Sequence, residues 1–472
     1  MSLQFIFGNS GSGKSHYLYQ QIVEESIRHP EKNYLVLVPE QFTMQTQKDL
    51  VRMHPRHGIM NIDVLSFARL AYRVFEETGV KKIPVLDDEG KNLILRKIAG
   101  NYEDKLTVLK GNIKKLGYIS EVKSVISEFT QYDIGEEELD CVMKRAGEES
   151  YLYYKLKDIR KVYEGFEDYL RDKYITKEEL LDVLSQNVPE AKMLKDSVIA
   201  MDGFTGFTPV QNRLIGELLK VCDKIMLTVE IDRREDPFVY KHPYQLFALS
   251  KQMVTSLTEV AQEVRVEIDE PVWLCKNPSY RFKENPEMAF LEEELFRYSR
   301  RKYSGEKMRS ISLHEVHTPQ EEAQYVAEEI RRLVREEGYR YREIAVIASD
   351  LSTYADALEK ACDRYEIPVF MDHKKSILLN SFVEYLRSLL VMVEQNYTYE
   401  SVFRYLRTSL CGFTRDEVDR LENYCLALDL KGFKKWDQVW VRKTPMTTKE
   451  ELDYCLENLK ELLPVLRKYA RH

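Results

Sequence analysis

Eight residues near the start of the chain, Gly8-Asn9-Ser10-Gly11-Ser12-Gly13-Lys14-Ser15, have the types and spacing of a loop that wraps a phosphate chain: a glycine, four residues, then Gly-Lys-Ser. Glycines at 8, 11 and 13 leave room for backbone N–H groups to converge on phosphate oxygens. Lys14 is placed to meet the β- and γ-phosphates, and the Ser15 hydroxyl suits Mg²⁺. The chemistry predicted is binding of a nucleoside triphosphate with Mg²⁺ by residues 8–15. Hydrolysis asks for more, namely a carboxylate at the end of a neighbouring strand and a group that orients water. Asp202, after the apolar Val198-Ile-Ala-Met201, is the candidate to hold the metal through water. Its neighbour Gly203 has no group to polarise a water, and a turn or helix-capping aspartate is the plainer alternative for Asp202. No catalytic residue is assigned.

Such a loop works between a strand and a helix, because the helix N-terminus adds free amides and the positive end of its dipole. Residues 3–7, Leu-Gln-Phe-Ile-Phe, read as that strand, and a helix is expected from about Lys14. Further apolar strands are predicted at 34–38, 62–65, 198–201 and 224–229 with helical sequence between them. Their apolar character suits the parallel strands of a doubly wound α/β sheet. Residues 80–195 instead carry long charged amphipathic patterns, such as 93–101 and 122–132, and read as a helical insertion. A charged stretch at 297–309 precedes a second α/β region, with a strand at 310–316, a helix at 321–337 and a strand at 344–348. Residues 378–472 read as helical and stop within a helical pattern, as a truncated domain would. The expected division is 1–80 with 191–300, an insertion at 81–190, and a further domain at 301–472.

A chain of 472 residues, 44% of them hydrophobic, has material for two or three cores. It contains no run of about 18 apolar residues able to span a bilayer, and residues 3–7 are too short for a signal peptide core, so a cytoplasmic protein without a membrane partner is expected. The seven cysteines stand singly with no CxxC pair, which suits reduced thiols better than disulfides or zinc. A net charge of −8 disfavours nonspecific coating of nucleic acid while permitting a basic channel. His314-Glu-Val-His317 lacks the H-E-x-x-H spacing of a helical zinc site and reads as surface strand histidines.

Taken in order, the loop at 8–15 and the blocks Val38-Pro-Glu-Gln-Phe-Thr43, Val64-Leu-Ser-Phe-Ala-Arg-Leu-Ala-Tyr72, Asp202-Gly-Phe-Thr-Gly-Phe-Thr-Pro-Val-Gln211 and Arg342-Glu-Ile-Ala-Val-Ile-Ala-Ser-Asp350 resemble the AddB subunits of bacterial AddAB helicase-nucleases, relatives of RecBCD. The resemblance implies a superfamily 1 helicase-like fold: a first RecA-like domain carrying the phosphate loop, a helical insertion within it, and a second RecA-like domain from about Ser310. It implies ATP and Mg²⁺ as ligands, an AddA-like helicase-nuclease subunit as heterodimer partner, and single-stranded and duplex DNA as substrate. The implied role is processing of double-strand ends for recombinational repair, with reading of the Chi hotspot. A nuclease motif and the cysteines of an iron-sulfur cluster belong to a C-terminal domain of that family, and nothing before His472 matches them. Two departures imply a defective motor: Asp202-Gly203 stands where active relatives have Asp-Glu, and Glu230-Ile-Asp-Arg-Arg234 where they have Gly-Asp-x-x-Gln. The alternatives are an active helicase, a small-molecule phosphotransferase, and a scaffold with a vestigial loop.

Helicases of this class turn the loops after the second and third strands toward single-stranded DNA, which would align Gln41, Thr43, Phe67, Arg69 and Tyr72. Phe67 and Tyr72 could stack on bases, Arg69 could meet phosphate or a guanine edge, and Gln41 could read a base. Phe204 and Phe207 would extend the aromatic platform. The competing assignment makes Phe67 and Tyr72 helix core and Arg69 a solvated face. Lys105, Lys110, Lys114, Lys115 and Lys123 form a second basic stretch, either a duplex-DNA contact or an ordinary solvated helix face.

Overall fold

Alternate side chains of the first strand, β1 (Ser2–Gly8), enter different cores: Leu3, Phe5 and Phe7 one, Ile6 the other. That two-sided burial is what a strand covered by helices on both faces requires. The computed structural model describes residues 1–80, 84–113, 115–171, 173–305, 308–372, 377–438, 440 and 442. The chain divides into two units, Met1–Leu313 and a second beginning at His314.

In the first unit β1 is joined by β2 (Tyr34–Leu37), β3 (Ile62–Leu65), β6 (Val198–Met201), β7 (Lys224–Glu230), β8 (Glu267–Ile268) and β9 (Val272–Trp273). A separate two-stranded pair, β4 (Val85–Leu86) with β5 (Ile175–Thr176), lies within the stretch between β3 and β6. The main sheet runs β3-β2-β6-β7-β1-β8, with β9 also on β1, and every ladder is parallel. Helices α1 (Lys14–Arg28) and α2 (Thr43–Met53) cover one face, where Leu18, Ile22 and Leu50 meet Ile6 and Val36. On the other face lie α3 (Phe67–Thr78), α8 (Leu180–Asn187), α9 (Pro209–Leu219) and α10 (Ala248–Glu263), which supply Leu70, Leu184, Leu214 and Val254 to the larger core.

Register places the chemistry. Gly8 is level with Glu230, and Met201 with Leu227, so β7 lies between the strand that ends in the phosphate loop and the strand that ends at Asp202. The sequence between β3 and β6 folds mainly as α4 (Asp88–Tyr102), α5 (Leu116–Gln131), α6 (Glu136–Ala146) and α7 (Tyr151–Leu170), with a core of its own around Leu95, Ile113, Val122 and Val162.

Two expected strands depart from expectation. Residues 310–316 and 344–348, predicted as strands, join no ladder among the described residues. Leu313 and Ile347 are 98% and 94% exposed. An apolar run becomes a strand only where a neighbouring strand satisfies its backbone, and no such ladder forms here among the described residues. Among its described residues the second unit is helical: α11 (Pro319–Glu336) and α12 (Leu351–Arg364) share a small core through Ala327, Ile330 and Cys362. A second cluster around Met392, Tyr405, Cys425 and Trp436 joins the helices between Ser381 and Trp436. No helix among the described residues is long and apolar enough to cross a membrane.

Candidate nucleotide-binding site

β1 ends at Gly8 and α1 starts at Lys14, so the loop between them lies at the carboxyl edge of the sheet. Gly13 caps α1 with φ 94° and no side-chain hydrogen bond, and the first turn holds no acidic residue, leaving the helix amides free to meet an anion. Close packing explains the other two glycines. A Cβ on Gly8 would lie 2.3 Å from Ser12 Oγ, and one on Gly11, whose φ is +71°, would lie 2.6 Å from Arg281 Cβ. Gly11→Ala combines strain with collision, so a loss of about 2 kcal/mol is expected in urea unfolding, together with loss of ligand binding. Wild-type stability and affinity in that variant would overturn this account of the loop.

Lys14 donates from Nζ to the Asn9 carbonyl at 3.0 Å. Burial lowers its pKa, Glu230 and Asp202 oppose that, and Arg281 adds to it. Two buried atoms of the loop, Asn9 Oδ1 and Ser12 Oγ, have no hydrogen-bond partner in the protein. Buried polar groups ordinarily have partners, so an orphaned hydroxyl donor on a loop that leads into free helix amides and a desolvated ammonium suits an oxygen-rich anion, while the Asn9 Oδ1 acceptor asks for a donor such as water. The residues present fit a triphosphate.

Asp202 is 7% exposed and is held from two sides. Tyr19 of α1 donates its hydroxyl to Oδ2 at 2.7 Å, and Thr228 of β7 donates to Oδ1 at 2.5 Å. Burial first, then the charge of Asp202, pushes the Tyr19 hydroxyl far above its ordinary value, so Tyr19 remains a donor. Each carboxylate oxygen keeps further acceptor capacity, which suits water in the shell of a cation. Ser15 is exposed at the start of α1. Among the described residues no group of three or more His, Cys, Asp or Glu side chains is arranged to hold a metal ion, so Ser15 and Asp202 would act together with ligand oxygens and water.

The proposed DNA residues are placed unequally. Gln41 is exposed on the turn Glu40–Phe42, and Arg69 and Tyr72 are exposed on α3. Thr43 is buried, with its hydroxyl donating to the Glu40 carbonyl at 3.0 Å. Phe67 is also buried, with its ring 5.4 Å from that of Phe204 and 6.3 Å from that of Phe207, and the latter two rings are 5.1 Å apart and half-buried. The three phenylalanines pack on one another, leaving Phe67 no free face for a base. Another exposed ring is Phe42, 48% exposed, whose Cδ2 would lie 3.6 Å from a Cβ on Gly203.

Of the lysines in the helical stretch, Lys110 lies 3.9 Å from Asp104 and Lys123 lies 3.8 Å from Asp88. Lys105 sits over the Tyr102 ring, Lys115 is exposed, and Lys114 lies outside the described residues. His314 rests against Tyr325, with ring centroids 4.7 Å apart.

Sequence reasoning missed the residues that reach the loop from far away in the chain. Thr228 left a trace as the one hydroxyl in the apolar run of β7, and Tyr19 as an aromatic one turn past Lys14. Ser279, Arg281 and Glu292 left none. The Arg281 amide donates to the Gly11 carbonyl at 3.0 Å, and Glu292 accepts from Asn9 Nδ2 at 3.2 Å on both oxygens. Desolvation is the main reason that the Glu292 pKa is raised.

A parallel sheet with a phosphate loop after β1, a held carboxylate after β6 and a strand between them defines a P-loop domain of the superfamily 1 helicase type. Comparison with known families makes this specific, since the family described as "ADDB, N-terminal" matches residues 5–292 and the UvrD-like helicase C-terminal domain matches 281–464. The chain belongs to the AddB N-terminal family. It is 41% identical over 472 residues to the B subunit of the ATP-dependent helicase/deoxyribonuclease of Lachnoclostridium phytofermentans, covering 98% of this chain and 41% of that protein. Proteins of the same name from Clostridium perfringens and Acetivibrio thermocellus are 33% and 32% identical, over 96% and 98% of this chain and 39% and 40% of theirs. The chain thus spans about two fifths of the length of these curated relatives.

Proposed function

We propose that the chain is the nucleotide-binding, DNA-facing part of a cytoplasmic helicase-nuclease subunit whose own motor is inactive. It takes ATP at Gly8, Asn9, Ser10, Gly11, Ser12, Gly13, Lys14 and Ser15, with Mg²⁺ at Ser15 and, through water, Asp202. The carrying observation is the glycine cradle with the orphaned Ser12 hydroxyl at the α1 N-terminus, beside a carboxylate gripped by Tyr19 and Thr228. The chain's residues bind and orient the triphosphate: loop amides and Lys14 hold its oxygens, and Asp202 offers an acceptor to water around the cation. Gly203 supplies no base where active motors carry glutamate, which supports a reading role over a pulling one. With an AddA-like partner, such a subunit would process double-strand DNA ends for recombinational repair and read the Chi sequence. Saturable, Mg²⁺-dependent ATP binding in a calorimetric titration is expected, and its absence would favour a scaffold.

One observation favours a second reading. Glu230 is level with Gly8, and its charge acts on Lys14, so a carboxylate does stand beside the loop. Turnover in this chain, if measured, would assign Glu230 as the group that takes the proton from water.

For DNA, the exposed Gln41, Phe42, Arg69 and Tyr72 form the better surface, with Phe42 as the stacking ring. Phe42→Ala is expected to weaken single-strand binding by about tenfold, within the range of one lost base stack, whereas Phe67→Ala should act mainly on stability. Fluorescence anisotropy with labelled oligonucleotides checks this, and unchanged binding in Phe42→Ala removes the assignment.

A further inference from the structure

We propose that the Ser279 hydroxyl is a phosphate ligand of the nucleotide held by the loop, contributed by a segment distant in sequence from the β1–α1 motif. This rests on the nucleotide-binding reading above and adds a residue to that site.

Ser279 is 1% exposed, and its Oγ has no hydrogen-bond partner in the protein. It precedes the short turn Tyr280–Phe282, a position from which serine ordinarily caps by accepting a backbone N–H, yet it makes no such bond. The hydroxyl is turned toward the phosphate loop instead, and a Cβ on Gly11 would lie 3.2 Å from it. The turn is fixed in that place by the bond from the Arg281 amide to the Gly11 carbonyl, at 3.0 Å.

A second orphaned hydroxyl, Ser12 Oγ, lies on the phosphate loop itself and is also more than nine-tenths buried. A buried hydroxyl without a partner is costly, so two of them at one loop mark where a ligand with several acceptor oxygens completes the bonding. Lys14 and Arg281 are close enough for the charge of Arg281 to lower the lysine pKa, with Glu230 and Asp202 acting the other way, and hydroxyl donors beside two cations suit phosphate oxygens while the carboxylates suit an accompanying cation. A phosphate accepting from Ser279 would add a nucleotide-dependent tie between the turn at 279–282 and the loop to the one that the Arg281 amide already makes.

The test titrates Mg·ATP into the whole chain carrying Ser279→Ala, beside wild type and Lys14→Ala. Ser279→Ala is expected to weaken binding about tenfold, equivalent to about 1.4 kcal/mol. Its ligand-free melting temperature should stay level or rise, because the substitution removes an unsatisfied buried group; a purely structural serine would move stability and leave affinity alone. Wild-type affinity in Ser279→Ala, or a lowered ligand-free melting temperature with affinity unchanged, overturns the proposal. No binding by wild type, or equal binding by wild type and Lys14→Ala, instead overturns the nucleotide site itself and takes the Ser279 role with it.

Discussion

Lys14→Ala is expected to weaken Mg·ATP binding by this chain about a hundredfold or more, and to leave most of the ATPase activity of the assembled complex intact. The first part follows from position: a desolvated ammonium at the start of α1, among free amides, gives charge-assisted bonds that water cannot replace cheaply. The second follows from the proposed inactive motor: with Gly203 where active motors carry glutamate, a site that binds without turning over would contribute affinity but little flux. The sign of the pH dependence is fixed as well. Burial sets the Lys14 pKa below its ordinary 10.5 in the free protein, so the charged lysine is disfavoured in the folded state. That penalty is complete below the lowered value and gone above 10.5. A bound triphosphate restores the charge, so binding takes up protons on the alkaline side and affinity should fall as pH rises through the lowered value. Lys14→Ala should lack that slope. Calorimetry of the chain and ATPase assays of the complex measure the two parts. Unchanged binding would refute the site, and near-complete loss of complex ATPase would refute the inactive motor.

The site was readable from sequence to the extent that its chemistry is local. A phosphate loop is contiguous because a strand end and the adjoining helix start must both contribute amides, so Gly8 to Ser15 could be read without tertiary information. The strands at 62–65 and 198–201 were delimited correctly, since helices on both faces of the sheet leave short apolar runs. The two-residue strands β8 and β9 are too short to carry any periodicity, and only their pairing with β1 defines them. The opposite error arose at 310–316 and 344–348, where apolar sequence suggested strands but a ladder also needs a neighbour. Phe67 shows a limit of motif logic. The block from Val64 to Tyr72 points to a contact loop, yet Ser66 caps α3 through the Arg69 amide and the next residue turns inward onto Phe204. Phe42, in the middle of another block, is exposed on its turn beside Gly203. Ser279, Arg281 and Glu292 are joined to the loop by folding alone, and no spacing in the sequence could reveal them.

The largest stability effect away from the sheet is expected at Asp158. This residue lies in α7 with 0% exposure, and its carboxylate accepts from three consecutive amides, Thr107 at 3.0 and 2.9 Å, Val108 at 2.7 Å and Leu109 at 3.0 Å. Those amides begin the link between α4 and α5, whose Leu106, Leu109 and Ile113 fill the helical core, so one side chain holds the link against α7. Alanine would leave the amides without their acceptor and open a small void. At about 1 to 2 kcal/mol for each bond to a charged acceptor, with some relaxation, the expected loss is about 3 to 5 kcal/mol. Asparagine keeps the shape and one acceptor but turns a donor toward the amides, so an intermediate loss is expected. The damage should be local, because these helices have a core separate from that of the sheet. Hydrogen exchange should show faster exchange across α4 to α7 while β1, β2 and β7 keep their protection, and Mg·ATP titration should give near wild-type affinity. A loss below about 1 kcal/mol in urea unfolding would mean that the link is held by its leucines instead. Equal deprotection of the sheet would mean that the helical stretch and the nucleotide site unfold as one unit.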